Sequence, residues 1–175
     1  MFLNPKKVIA QLNLSHSAHV ADMGAGNGDF SFACSALLHN GNVYSIEIQK
    51  NLADSLRHQI KSKKIKNIEV LYGNIEHYGG TSLKDKSIDL VILANTFFQV
   101  LDKDSCIKEV TRILKDNGKL LFIDWTSSMN HMGPHPKNIF TKENALEFFK
   151  RKNFKFVENV DAGDYHYGII FSYER

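Results

Sequence analysis

Along the chain the apolar positions switch repeatedly between strand-like runs and helical spacing, and the switches alternate. The run "HVADMG", residues 19–24, reads as a buried strand, and "DFSFACSALLH" after it places Phe30, Ala33 and Leu37 on one helical face with Asn40-Gly41 as its stop. "NVYSIEI" predicts the next strand, and "NLADSLRHQIKSK" a helix with Leu52, Leu56 and Ile60 in register. "IEVLYGN" and "SIDLVILAN" predict strands three and four, joined by a stretch too short and polar for a helix. "SCIKEVTRILKDNG" is a helix by the spacing of Ile107, Val110 and Leu114, with Gly118 where a left-handed C-terminal cap belongs, and "KLLFIDW" is strand five.

Alternation of this kind implies a parallel sheet, because parallel neighbours need crossovers and the crossover helices cover both faces. The expected class is doubly wound α/β. Outside the alternation lie a leading helix, "NPKKVIAQLN" with Pro5 in its first turn, and an irregular stretch from Thr126 to Phe140. A helix "TKENALEFFKRK" capped by Thr141 follows, then two β-rich runs around "DAGD" that predict an antiparallel hairpin.

Composition narrows the class. A chain of 175 residues with 43% hydrophobic and 23% charged residues can bury one core, so a single domain over residues 1–175 is expected. Cys34 and Cys106, the only two cysteines, fall in helical stretches and read as reduced, packed thiols, which points to the cytoplasm. The N-terminus lacks the apolar core of a secretory signal, and no apolar run approaches the ~20 residues of a membrane span, so neither export nor membrane insertion is expected. A net charge of +3 falls short of a dedicated nucleic-acid binder, and the one basic cluster, Lys61 to Lys66, reads as a solvated helix end.

In doubly wound sheets ligands bind beyond the carboxyl ends of the strands. The predicted strands end on Asp22, Glu47, Asn74, Asn95 and Asp124-Trp125, a hydrogen-bonding side chain in every case. After Asp22 comes "GAGNG", with glycines at 24, 26 and 28. A dinucleotide fingerprint, G-x-G-x-x-G, would put its third glycine at Asp29, whose carboxylate repels a pyrophosphate. The turn suits a ligand with an ammonium and a carboxylate and no phosphate. Glu47, 47 − 28 = 19 residues past the last glycine, is placed to accept from ribose hydroxyls. Asn74 can accept from an exocyclic amine while Ile75 lies against the ring. Together these groups describe a nucleoside that carries an amino acid.

These stretches resemble class I S-adenosylmethionine-dependent methyltransferases over almost the whole chain. "VADMGAGNGDF" is similar to their first motif, "VYSIEI" to the acidic second strand, "VLYGNIEHY" to the adenine-contacting segment, and "SIDLVILANTFFQVLD" and "ILKDNGKLLFIDW" to the segments that follow. The likeness is strongest to small enzymes near those of ubiquinone and menaquinone biosynthesis. It implies a Rossmann-like sheet of seven strands, mostly parallel with an antiparallel C-terminal hairpin. It also implies S-adenosylmethionine as cofactor, contacted by Asp22, Gly24, Ala25, Gly26, Gly28, Phe30, Glu47, Ile48, Asn74, Ile75 and Asn95. Asn74 stands where the family more often has aspartate.

Methyl transfer from a sulfonium is an in-line displacement that rests on alignment and exclusion of water, and it demands no single catalytic side chain. "ANTFFQV" lacks the [N/D]-P-P-[Y/F] segment of enzymes that act on planar amino nitrogens. His131 and His135 are four apart, but Gly133-Pro134 between them forbids the helix that would aim both at one metal, so no metal is expected. Two helical cysteines speak against arsenite as acceptor. Trp125 to Phe140, with Tyr165-His166-Tyr167, is expected to cover the acceptor, which makes Asp124, Trp125, His135, Tyr165, His166 and Tyr167 the candidate substrate residues. A small-molecule acceptor is expected; RNA methylation and cofactor binding without catalysis are the alternatives.

Overall fold

The computed structural model describes residues 2–128 and 133–174. Its strands are β1 (His19–Met23), β2 (Asn42–Glu47), β3 (Ile68–Tyr72), β4 (Ile88–Ala94), β5 (Leu114–Trp125), β6 (Phe154–Val160) and β7 (His166–Tyr173). The helices are α1 (Pro5–Ala10), α2 (Asp29–Leu37), α3 (Lys50–Ser62), α4 (Lys103–Ile113) and α5 (Lys142–Arg151), with short 3-10 turns at Phe97–Gln99 and Pro136–Asn138. Seven strands form one sheet in the order β3-β2-β1-β4-β5-β7-β6. The first five are parallel, and β7 runs antiparallel to both β5 and β6, so the C-terminal pair is the expected hairpin.

The layers follow from residue pattern. In β5, Leu120 and Phe122 point to one side, where α4 and α5 contribute Ile107, Val110, Ala145 and Phe149. Leu121 and Ile123 point to the other, against Val8 and Ile9 of α1, Phe30 and Ala33 of α2, and Leu56 of α3. Central strands covered on both faces carry near-continuous apolar runs, as β4 does. The chain leaves β1 towards β2 and β3, then returns to β4 on β1's other flank. That reversal opens a crevice at the carboxyl ends of β1 and β4.

Two local expectations change. Gly118 is not a left-handed cap: α4 ends at Ile113, Leu114 is already extended (φ −66°, ψ 135°), and Gly118 lies within β5 without a positive φ. Its value is space, since a Cβ there would come within 2.8 Å of Leu114 Cδ2 and 3.1 Å of the Ile88 carbonyl oxygen. Helix α2 stops at Leu37, short of the Asn40-Gly41 signal. No helix among the described residues is long and apolar enough to cross a membrane.

Candidate active site

The turn after β1 is held from two sides. The Gly24 and Ala25 amides donate to the Ile46 carbonyl at 2.9 and 3.0 Å, which ties the turn to the end of β2. Gly24, Gly26 and Gly28 all have positive φ (85°, 53° and 83°), a region costly for side chains. Their surroundings differ. A Cβ on Gly24 would sit 2.5 Å from Thr96 Cγ2, and one on Gly28 would sit 2.4 Å from Leu56 Cδ1, whereas one on Gly26 would meet nothing within 4 Å. The first two glycines let neighbouring elements close up, and Gly26 faces open space.

That space is a cleft of about 640 Å³. Ten of the eleven residues expected at the cofactor line it: Asp22, Gly24, Ala25, Gly26, Phe30, Glu47, Ile48, Asn74, Ile75 and Asn95. Gly28 does not; it is the left-handed N-cap of α2, packed on α3. Glu47 is 5% exposed, and its carboxylate accepts from the Gly26 amide (2.9 Å) and the Gln49 amide (2.8 Å). Each oxygen keeps a further lone pair for a ligand hydroxyl. Ile48 beside it is 52% exposed, an apolar surface at the cleft edge suited to a planar ring.

Asp22 is buried behind the turn and accepts from Ser31 Oγ (2.6 Å), which also meets Ser45 Oγ (2.6 Å). Burial raises its carboxyl to about 6, the Ser31 hydrogen bonds hold it partly down, and the nearby charges of Asp29 and Glu47 push it up. Asn74 accepts from the Glu76 amide (2.9 Å), and Glu76 in turn accepts from the Leu101 and Asp102 amides (3.1 and 2.7 Å), joining the β3–β4 connection to the loop after β4. Beneath this connection lies Glu109, which accepts from Gly79 and Thr81 amides, the Thr81 hydroxyl and Arg112 at 2.6–3.1 Å. Asn95 has a left-handed backbone (φ 55°), its amide donates to the Ile123 carbonyl at 2.9 Å, and its Oδ1 is buried without a partner.

None of the six candidate substrate residues lines the cleft. Asp124 and Tyr167 face each other across the β5–β7 ladder on the α4–α5 side. The Tyr167 hydroxyl donates to the Phe140 carbonyl (2.5 Å) and its ring packs near Phe122, which makes it a core residue. Asp124 is fully buried; one oxygen accepts from the Trp125 amide, the other is unpartnered, and burial lifts the carboxyl to about 6. Alternation puts Trp125 and His166 on the opposite face, their rings 4.2 Å apart, with both His166 nitrogens unpartnered and burial lowering its pKa. Tyr165 packs on Phe2, and the exposed His135 caps the second 3-10 turn by accepting from the Lys137 amide. Met129, His131 and Met132 of the expected cover lie outside the described residues. No cluster of metal-ligating side chains occurs among the described residues.

Several cleft residues escaped the sequence pattern. Leu3 and Pro5 line it because the N-terminal segment folds across the carboxyl edge of the sheet, and Thr96, Gln99 and Val100 because the loop after β4 turns inward. Gln49 was within reach of the strand-end logic that singled out Glu47, two residues earlier. The open space over Gly26, the acids at the turn and the orphaned Asn95 oxygen fit an amino-acid-bearing nucleoside, which brings ammonium and hydroxyl donors to these acceptors.

Comparison with known proteins agrees with this geometry. The family described as "Methyltransferase domain" matches residues 14–161. A demethylmenaquinone methyltransferase of Lactobacillus johnsonii is 26% identical over 93% of this chain and 63% of its own. An arsenite methyltransferase of Mus musculus is 30% identical over 65% of this chain and 32% of its own. The chain thus spans less than two thirds of the length of these relatives. Among solved structures, a SAM-dependent methyltransferase from Aquifex aeolicus superposes with a TM-score of 0.88 at 23% identity, covering 98% of this chain and 90% of that one, a likeness of fold.

Proposed function

The chain belongs to the methyltransferase domain family, and from that membership we propose that it transfers a methyl group from S-adenosylmethionine to a small organic acceptor, with residues 1–175 acting as one domain. The observation that carries this reading is the pairing of Glu47 with the Gly26 amide at the lip of the cleft (2.9 Å), where ribose and amino-acid groups would meet an acid and a side-chain-free turn. When bound, S-adenosylmethionine supplies an electrophilic methyl group on a sulfonium. The protein's part is to hold it. The glycine turn and Asp22 take the amino-acid end, Glu47 the ribose, and Ile48, Asn74 and Ile75 the adenine. Asn95 and Thr96, fixed by the Ile123 and Gly24 carbonyls, wall the side from which an acceptor enters. Trp125, His166 and Tyr165 do not line it.

A small acceptor is favoured over RNA by the position of the basic cluster. Lys61 to Lys66 lead into the start of β3, whereas Gly73 and Asn74 reach the cleft from its far end, about 16 Å away at the usual strand rise. Arsenite is disfavoured because Cys34 and Cys106 are fully buried in the cores on opposite faces of the sheet and neither lines the cleft. Turnover with methyl-labelled S-adenosylmethionine against separate metabolite and RNA pools tests the reading: label entering the metabolite pool is expected, and label confined to RNA would contradict it.

A further inference from the structure

One side chain joins the N-terminal segment to the far end of the chain. Gln11, which closes α1, presents its amide to the backbone of Asp161 in the turn between β6 and β7, 150 residues away. Its Nε2 donates to the Asp161 carbonyl at 3.0 Å, and its Oε1 accepts the Asp161 amide at 2.9 Å. Nε2 also donates to the Lys7 carbonyl at 3.1 Å, so the orientation of the amide is fixed: turned over, its oxygen would face two carbonyl oxygens. The turn folds on the same residue, since the Asp161 carboxylate accepts the Gly163 amide at 2.9 Å and Gly163 takes a left-handed φ of 85°. At its other end the turn meets the N-terminal segment again, where the Tyr165 ring packs on Phe2 with centroids 5.4 Å apart. The turn thus holds the segment on both sides of α1. Between the two anchors stand Leu3 and Pro5, which wall the cleft, whereas Asp161 to Tyr165 do not line it.

We propose that Gln11 is a positioning residue for methyl transfer: its pairing with Asp161 joins α1 and the β6–β7 turn into one unit, and that unit holds Leu3 and Pro5 over the bound cofactor. The inference rests on the S-adenosylmethionine reading above. Val8 and Ile9 seat α1 on the sheet, and Leu3 packs against the same core from ahead of the helix. The Gln11 bonds are exposed, so they add little to global stability; what they set is the ease of local opening. Opening of this unit uncovers one side of the cleft, letting water in and the cofactor out. Methyl transfer needs water excluded and the reacting atoms held in line, so a residue that keeps this side closed serves the reaction without touching it.

Hydrogen exchange on the full, unsubstituted chain tests this first. Saturating S-adenosylmethionine should slow exchange in residues 161–165 by about threefold or more, together with residues 6–11, although the turn does not line the cleft. Gln11→Glu puts an oxygen where two carbonyls need a donor, and Gln11→Ala removes the amide. Each should speed S-adenosylmethionine dissociation by about three- to tenfold in stopped-flow displacement, and should uncouple exchange in the turn from the ligand. Asn67→Asp is the control, because the Asn67 amide makes a similar lock away from the cleft, donating to the Ser35 and Leu38 carbonyls at 3.1 and 2.7 Å. It should lower the melting temperature more than either Gln11 variant and leave dissociation unchanged. Unchanged dissociation in both Gln11 variants, or dissociation quickened equally by Asn67→Asp, overturns the proposal, as does a turn whose exchange ignores the ligand. A wild-type chain that does not bind S-adenosylmethionine overturns instead the reading of the cleft.

Discussion

Glu47 Oε2 accepts the Gly26 amide at 2.9 Å, so the acid that ends β2 also fixes the open member of the glycine turn after β1. One carboxylate thereby does two things: it shapes the turn, and it presents its remaining lone pairs to the cleft. Glu47→Ala should weaken S-adenosylmethionine binding by about 1.5–3 kcal/mol, the range of hydrogen bonds to charged groups. Glu47→Gln keeps one acceptor oxygen and should lose less. Titration calorimetry measures both, and an alanine variant that binds as the wild type does would show that the acid faces no ligand.

Gly26 and Gly28 should separate by their surroundings. Gly28→Ala meets Leu56 at 2.4 Å and a left-handed backbone, so it should cost about 1–3 kcal/mol of stability. Gly26→Ala meets no protein atom and should cost about 1 kcal/mol of backbone strain, yet it places a methyl group in the cleft and should lower cofactor affinity more than stability. Melting curves recorded beside binding isotherms distinguish the two; equal loss of stability in both variants would contradict the assignment.

Asp22 gives the cofactor site a pH dependence. Its folded carboxyl is raised to about 6 by burial, so its contribution to stability is present below the unfolded value near 3.8 and is lost as pH rises through about 6. Asp124, lifted by burial to about 6, acts in the same window. Asp22→Asn should therefore stabilise the cofactor-free protein above pH 6, by up to roughly 3 kcal/mol. A cationic ligand favours ionised Asp22, so affinity should rise with pH through the same window and flatten in Asp22→Asn. Binding isotherms at pH 5, 6 and 7 check this, and identical slopes in the two proteins would refute it.

Glu109 works in the opposite direction. Burial alone would raise it, but the hydrogen bonds from Arg112, Thr81 and Gly79 outweigh burial and hold it at about 2. Its contribution is present above the ordinary glutamate value and is lost as pH falls towards 2. Glu109→Ala leaves Arg112, a half-dismantled buried pair, and should cost about 3–5 kcal/mol in chemical denaturation. Because the same acid anchors Gly79 and Thr81, the β3–β4 connection that carries Asn74 and Glu76 should loosen, and hydrogen exchange there should quicken; an unchanged exchange rate would contradict that link.

The order of elements was legible because each strand or helix declares its period locally, as "NVYSIEI" and "NLADSLRHQIKSK" do, and strand ends such as Asp22, Glu47 and Asn95 follow once the strands are placed. Gly118 misled because a glycine after a helical pattern has two uses, a left-handed cap or close packing, and only the Leu114 and Ile88 neighbours decide between them. The faces of β5 and β7 were not legible: Asp124 lies opposite Tyr167 and Trp125 opposite His166 through a register set by long-range pairing. Nor does any local pattern announce that Leu3 and Pro5 fold across the cleft or that Thr96 closes on Gly24, since both depend on segments far apart in the chain.

The most direct measurement is calorimetry of the purified chain with S-adenosylmethionine and, separately, with NAD. Asp29 stands where a dinucleotide site wants its third glycine, and among the described residues acids alone carry charge on the cleft wall. One S-adenosylmethionine should bind per chain, and NAD should give no heat at the same concentrations. Tighter binding of NAD than of S-adenosylmethionine would contradict the assignment of the cleft.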